Sequence, residues 1–343
     1  MAPDATSPNS IILLCPITVH PLNPKDIWYR YVKDRRVIYL DTNVLVRLAD
    51  ARTELTKECL ALCREAVRSG AAIFPLSYAS ISELLHQPPD APRETQADLM
   101  DELSLGVSFR STHVIEEEET RAAFCFFANE DYQPVPRTAL FTYIVDYIGD
   151  GVITFPEGLT EAQICAFVEH WNTAPHVRSV SWFLKHSDID RIKANHEASA
   201  NKYRIQFREK IKRSSEHFRK LRQFSRERLR HEERMYLFNF NILPLFEKII
   251  VERYTPDEAM STLKTIFEEF PKRHGRGVPK FIEKLFLLMP TIELTVQLMA
   301  SRVMNPERAV QPQDFWDIEH TRVPAAYADA FVTEDRGLVD LLS

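Results

Sequence analysis

The sequence predicts an α/β protein: a small parallel sheet flanked by helices, interrupted by a mainly α-helical insertion. Three observations carry that prediction. Short apolar runs alternate with amphipathic stretches up to about residue 128 and again near the C-terminus, as expected of strands joined by crossover helices. Residues 129–295 between them carry helix signals and almost no strand signal. The 343 residues are 45% apolar and 27% charged but contain only 8 glycines, about 2% where roughly 7% is usual. Glycine-rich phosphate loops are therefore scarce, and neither GxGxxG nor GxxxxGK[ST] occurs. Residues 1–128 plus 296–343 are assigned to the α/β domain and 129–295 to the insertion.

The elements follow in order. Val37-Ile38-Tyr39-Leu40 reads as a buried strand ended by Asp41-Thr42-Asn43, and Val44–Leu48 begins a helical pattern. Thr53–Val67 is amphipathic, with Leu55, Cys59, Leu62, Cys63 and Ala66 on one face, and Gly70 ends it. Ala71–Phe74 is a short strand closed by Pro75. Ser77 can cap the next helix, which carries Ile81, Glu83, Leu84 and Leu85. Thr95–Leu105 is helical, Val107–Ser111 is a third strand, and Glu116–Phe127 is a helix with an acidic first turn that suits its dipole. In the insertion, Thr160-Glu161-Ala162-Gln163 and Thr255-Pro256-Asp257-Glu258 are capping boxes that open helices. Alternation returns with Phe315–Val323, a helix or turn carrying Asp317, then the strand Ala330–Thr333, then Asp335 and Leu338–Leu342.

Charge is unevenly spread. The net is −6, yet residues 191–234 hold 15 Lys+Arg against 6 Glu. No Gly or Pro interrupts Pro175 to Pro244, and Ala200, Tyr203, Phe207, Ile211, Phe218, Leu221 and Leu229 recur at helical spacing. One long basic helix near 190–235 is expected, its first 40 residues reaching roughly 60 Å. It reads equally as a solvated helix packed by one thin face and as a phosphate-binding rod. A second basic cluster, Lys272, Arg273, His274, Arg276 and Lys280, encloses two of the glycines and is expected in an exposed loop. The five cysteines form no CxxC and read as small buried apolar residues of a reducing compartment. Ile11–Val19 is short, broken by Pro16 and flanked by no basic region, so neither a signal peptide nor a membrane span is expected. The expected location is the cytoplasm.

The chemistry lies in carboxylates. Two short strands each finish beside an aspartate, Asp41 and Asp335, and ligands of open parallel sheets bind at the carboxyl ends of strands. Glu83 follows another strand at the same edge, and Asp317 lies 18 residues before Asp335. Four hard oxygen donors at one edge suit Mg²⁺ or Mn²⁺; without a cation they would repel one another and raise each other's pKa. Taken singly, Asp41-Thr42-Asn43 also reads as a turn with a cap, and Asp335 as the cap of a last helix.

The ordered set resembles the PIN-domain nucleases (PilT N-terminus domains): Val-Ile-Tyr-Leu-Asp41-Thr-Asn-Val-Leu at the first strand, Ile-Phe-Pro-Leu-Ser77 and Ser82-Glu83-Leu-Leu next, then Asp317 and Phe331-Val-Thr333-Glu-Asp335-Arg. The resemblance covers roughly 30–128 and 300–343. It implies an acidic metal site of Asp41, Glu83, Asp317 and Asp335, supported by Thr42, Asn43 and Thr333, with Mg²⁺ or Mn²⁺ as cofactor. It implies metal-dependent hydrolysis of phosphodiesters, with RNA the expected substrate. Asp329, six residues before Asp335, is a fifth candidate ligand that departs from the family pattern. His320, one turn after Asp317, is expected near the site in a neutral structural role. Arg219, Lys220 and Arg222 on the rod, and Lys272, Arg273, Arg276 and Lys280 in the second cluster, are the expected nucleic-acid contacts. The family's usual final edge strand has no counterpart after Asp335, and Ile11–Val19 is expected to supply an edge strand instead. Two other readings stay open: a non-cleaving PIN-like scaffold with a helical module for protein or nucleic acid, and a phosphohydrolase of small molecules. A homodimer or a protein inhibitor is a further expected partner.

Overall fold

A computed structural model describes residues 27–87, 92–143, 179–186, 226–269, 278–304 and 314–336, together with positions 160, 162–163, 166, 189–190, 205, 209 and 338–339. The described residues open with a wide helical turn at Trp28–Val32 and enter β1 (Arg36–Leu40). Helices α1 (Thr42–Asp50) and α2 (Glu54–Arg68) follow, then β2 (Ala72–Ile73), α3 (Tyr78–His86), α4 (Arg93–Ser104), β3 (Val107–Phe109), α5 (Thr112–Phe127) and β4 (Phe141–Tyr143). The middle of the chain supplies α6 (Val180–His186), α7 (Arg226–Leu237), α8 (Leu243–Arg253), α9 (Pro256–Lys264) and α10 (Val278–Leu287). The last elements are α11 (Pro290–Met304), α12 (Asp314–Tyr327) and β5 (Ala330–Val332). The result is a mostly helical α/β protein around a small parallel sheet. No helix among the described residues is long and apolar enough to cross a membrane.

The parallel sheet has strand order β2-β1-β5. Val37 pairs with Ile73, while Ile38, Tyr39 and Leu40 pair with Ala330, Phe331 and Val332. Alternation along β1 sends Val37 and Tyr39 into one core, with Ile73, Val107, Phe109 and Phe141. Ile38 and Leu40 face the other, with Leu45, Leu48, Leu60, Phe74 and the α3–α4 leucines. A third core is wholly helical: Phe124 and Phe127 of α5 pack with Phe246, Phe281 and Phe286.

Local chemistry sets the helix ends. Thr53 and Thr56 cap α2 reciprocally, and Gly70, at φ +75°, turns the chain out of it. Ser77 caps α3 through the Ser80 N–H. Both expected capping boxes form, Thr160 with Gln163 and Thr255 with Glu258.

Several expectations are corrected. Helix α5 starts four residues before Glu116, capped by Ser111, so its acidic run is not in the first turn. Strand signal does not stop at 128: β4 pairs antiparallel with β3, and Leu140 and Phe141 are fully buried in the core around Tyr39. Val180 and Phe183 of α6 pack into the core against α1–α4. The boundary between 295 and 296 falls inside α11. The helical block therefore shares α5 and α11 with the α/β body. Cys59 is exposed and Cys63 half-buried, not interior. Lys280 sits on α10, exposed, rather than in a loop. Arg219, Lys220, Arg222, Lys272, Arg273, Arg276 and the segment Ile11–Val19 lie outside the described residues. The described end of the basic rod, α7, directs two of its arginines, Arg226 and Arg234, onto α11. Arg234 makes a two-pronged pair with Glu293 of α11 at 2.6 and 2.9 Å, both side chains largely buried, and Arg226 reaches Ser301.

Candidate active site at the carboxyl edge of the sheet

Parallel pairing places the ends of β1 and β5 side by side. Asp41 follows Leu40, and its backbone N–H donates to the Val332 carbonyl at 2.9 Å. Its side chain is 4% exposed. Oδ1 accepts from the Thr42 N–H at 2.8 Å and so caps α1, while Oδ2 accepts from the Thr333 hydroxyl at 2.7 Å. Thr333 also accepts the Asp335 N–H at 3.0 Å, and Asp335 Oδ1 accepts from the Leu338 N–H at 3.3 Å. The capping roles of Asp41 and Asp335 are therefore real, and they hold both carboxylates at one edge.

Burial is the main cause raising the Asp41 carboxyl above the ordinary aspartate range. Its bonds to Thr333, Thr42 and Asn43 oppose the rise, and the Asp335 charge adds to it. Glu83 projects from α3 onto the same edge. It keeps 43% side-chain exposure, so the site opens to solvent. Enclosure by surrounding protein still pushes its carboxyl up to about 7, helped by the charges of Asp41 and Asp317. The buried Thr42 hydroxyl lies near Glu83 and offsets part of the rise. Asp317 reaches this group from α12, whose contacts run to α3. None of the leading influences on Asp41 or Glu83 is an arginine or lysine.

His320, one turn beyond Asp317, is 3% exposed, with Nδ1 at 3.3 Å from Glu83 Oε1. Burial pushes its pKa down to about 3, so the imidazole is neutral at physiological pH, as expected. Beneath the acids lies a layer that the sequence reading missed. The Tyr39 hydroxyl is 2.8 Å from Ser77 Oγ and 3.0 Å from Ser80 Oγ, fully buried, with its pKa raised chiefly by that burial. Ser77 was legible as a cap; the Tyr39 contact crosses 38 residues of sequence and leaves no local signal.

Asp329 does not belong here. It precedes β5, at the opposite end from Thr333, about 13 Å away at the usual strand rise. Its carboxylate accepts from the Val37 N–H at 2.8 Å and pairs with Arg137 at 3.0 Å. The Val37 and Arg137 bonds outweigh its burial and hold its pKa below the ordinary value.

The donor chemistry is of the kind that a hard divalent cation takes: four carboxyls from four segments lie toward one edge. The arrangement is not a closed cage. Among the described residues, no three Asp, Glu, His or Cys side chains stand in a geometry that would hold a metal ion as they are. Each Asp41 oxygen accepts one hydrogen bond and keeps a lone pair with which it could still ligate a cation. No family model, curated protein or solved structure matches the chain.

Proposed function

We propose that this edge is the active site of a metal-dependent phosphodiesterase of the PIN-like type, acting on RNA. One observation carries the reading. Asp41, Glu83, Asp317 and Asp335 are separated by up to 294 positions in sequence, yet the charge of Asp335 helps raise Asp41, and the charges of Asp41 and Asp317 help raise Glu83. Such crowding costs stability unless a cation or a proton relieves it.

Asp41, Asp317 and Asp335 would hold Mg²⁺ or Mn²⁺, with Glu83 at its open side. The ion would supply Lewis acidity toward a phosphate oxygen and toward water. The chain's own residues do the rest. Thr333 and the Thr42 N–H orient Asp41. His320, neutral, presents a ring nitrogen to Glu83 and fixes that carboxyl against α12. Glu83, poised near neutrality, can take up the proton that an attacking water loses. Attraction of a polyanion falls to the basic segments at 191–225 and 272–276, which would give affinity without sequence choice.

The test is cleavage of labelled single-stranded RNA with Mn²⁺, with and without chelator, beside Asp41→Asn. Chelator-sensitive cleavage lost in the variant supports the reading; RNA left intact with every metal overturns it. A second reading, a PIN-like scaffold that binds without cutting, draws support from the lack, among the described residues, of any three side chains grouped to hold a metal ion. It predicts RNA retention that is insensitive to chelator.

A further inference from the structure

Tyr39 lies directly behind this edge, and the proposed chemistry gives it no task. It is fully buried in an apolar core, where a phenylalanine would pack without desolvating an oxygen. A triangle of hydroxyls offsets that cost. Tyr39 Oη stands 2.8 Å from Ser77 Oγ and 3.0 Å from Ser80 Oγ, and the two serine oxygens are 3.2 Å apart. Each hydroxyl can donate to one neighbour and accept from the other, so the triangle can satisfy itself. Both serines are buried.

The triangle joins the segments that carry the acids. Tyr39 is two residues before Asp41 on extended chain, so the two side chains leave the same side, about 7 Å apart at their Cα atoms. Phe331, stacked on the Tyr39 ring at 5.2 Å between centroids, is two residues before Thr333. Phe109 flanks the same ring at 6.3 Å. Ser80 is one helical turn before Glu83 on α3. The phenol is therefore held by two aromatic rings, and its tip is tied to the first turn of α3. That tip lies within reach of the charges of both Asp41 and Glu83.

Resting on the reading of this edge as a metal-dependent active site, we propose that Tyr39 is its positioning residue: a strut from β1 to α3 that sets how far Glu83 stands from Asp41 and Asp335. Without the phenol oxygen, Ser77 still accepts from the Ser80 N–H, so α3 keeps its cap and loses its tie to the strand. Sites of this kind tolerate only about 0.5 Å of looseness. Loss of a supporting hydrogen bond behind the ligands weakens metal binding roughly 10- to 100-fold.

Tyr39→Phe keeps the ring between Phe109 and Phe331 and removes the oxygen alone. Ser80→Ala cuts the same bond from the helix side, and the double variant completes a cycle. Three quantities are read on the full chain: amide exchange over residues 78–86 without metal, Mn²⁺ affinity by electron paramagnetic resonance, and kcat and KM on single-stranded RNA. Each single variant should exchange about tenfold faster over 78–86 with α4 unchanged, and bind Mn²⁺ about tenfold more weakly. Its kcat should fall at saturating RNA while KM stays, because Tyr39 is buried away from the substrate. The double variant should be no worse than either single one. Unchanged exchange or unchanged Mn²⁺ affinity in both single variants overturns the inference alone; faster exchange with full affinity marks a tyrosine that merely stabilises α3. Losses that add in the double variant overturn it too, since the hydroxyls then act separately. An unmodified chain that binds no Mn²⁺ brings down the active-site reading and this inference with it.

Discussion

Glu83 is where charge, burial and chemistry meet most directly. Its carboxyl, with an ordinary value of 4.5, is pushed up to about 7. A carboxyl whose pKa is higher folded than unfolded holds extra protons in the folded state. In metal-free protein, stability should therefore fall as pH rises from about 4.5 toward 7. The sign reverses for function: the carboxylate form is needed, so Mn²⁺ affinity and cleavage should climb through the same upper range and level off above pH 8 or so. Thermal melts with chelator and cleavage rates at matched pH values would show the opposed trends. Glu83→Gln should raise the metal-free melting temperature at pH 8 while abolishing cleavage. Thr333 makes a second, separable case. Replacing it by Val removes the donor to Asp41 Oδ2 and the acceptor of the Asp335 N–H. The expected cost is about 1–3 kcal/mol by urea titration, with Mn²⁺ binding weakened about tenfold; Thr333→Ser should restore both.

Among the secondary-structure elements, α6 is the one most dependent on a single side chain. Asp101 of α4 accepts from the Val180 N–H at 2.6 Å, the Ser181 N–H at 2.9 Å and the Ser181 hydroxyl at 2.6 Å. It caps a helix 79 residues downstream. Asp101→Ala should cost about 1–2 kcal/mol and speed amide exchange in 180–186 selectively, which hydrogen-exchange mass spectrometry would read. The same residue explains what the sequence could disclose. Caps with their partner three residues away, Ser77, Thr160 and Thr255, were readable because donor and acceptor share one turn. A cap that arrives from another helix has no local signature, so α6 was assigned to the insertion. The strand β1 was legible because its apolar run is buried on both faces. Strand β4 was not, since Phe-Thr-Tyr becomes a strand only by pairing with Val107–Phe109. Asp41, Glu83, Asp317 and Asp335 were legible as an ordered set. Asp329 was misread because spacing alone does not tell which end of a strand a side chain occupies.

The whole molecule is tied together by α5 and α11, so it should not melt as two units. Phe124 of α5 is fully buried, with its ring edge-on to Phe246 at 5.2 Å between centroids. Neighbouring Glu119, also fully buried, accepts from the Thr291 N–H of α11 and the Tyr327 hydroxyl of α12. Phe124→Ala should cost about 3–5 kcal/mol and shift one cooperative transition by both near-UV and far-UV circular dichroism. Two separated transitions would mean that the helical block folds on its own. Threonine 333 and its aspartate partner at 41 stand 292 residues apart, and the strand between them pairs with the first one directly. During synthesis, then, the amino-terminal carboxylate waits beside a missing neighbour until β5 emerges from the ribosome. Any prematurely terminated product lacking that strand leaves Asp41 without its hydroxyl clamp.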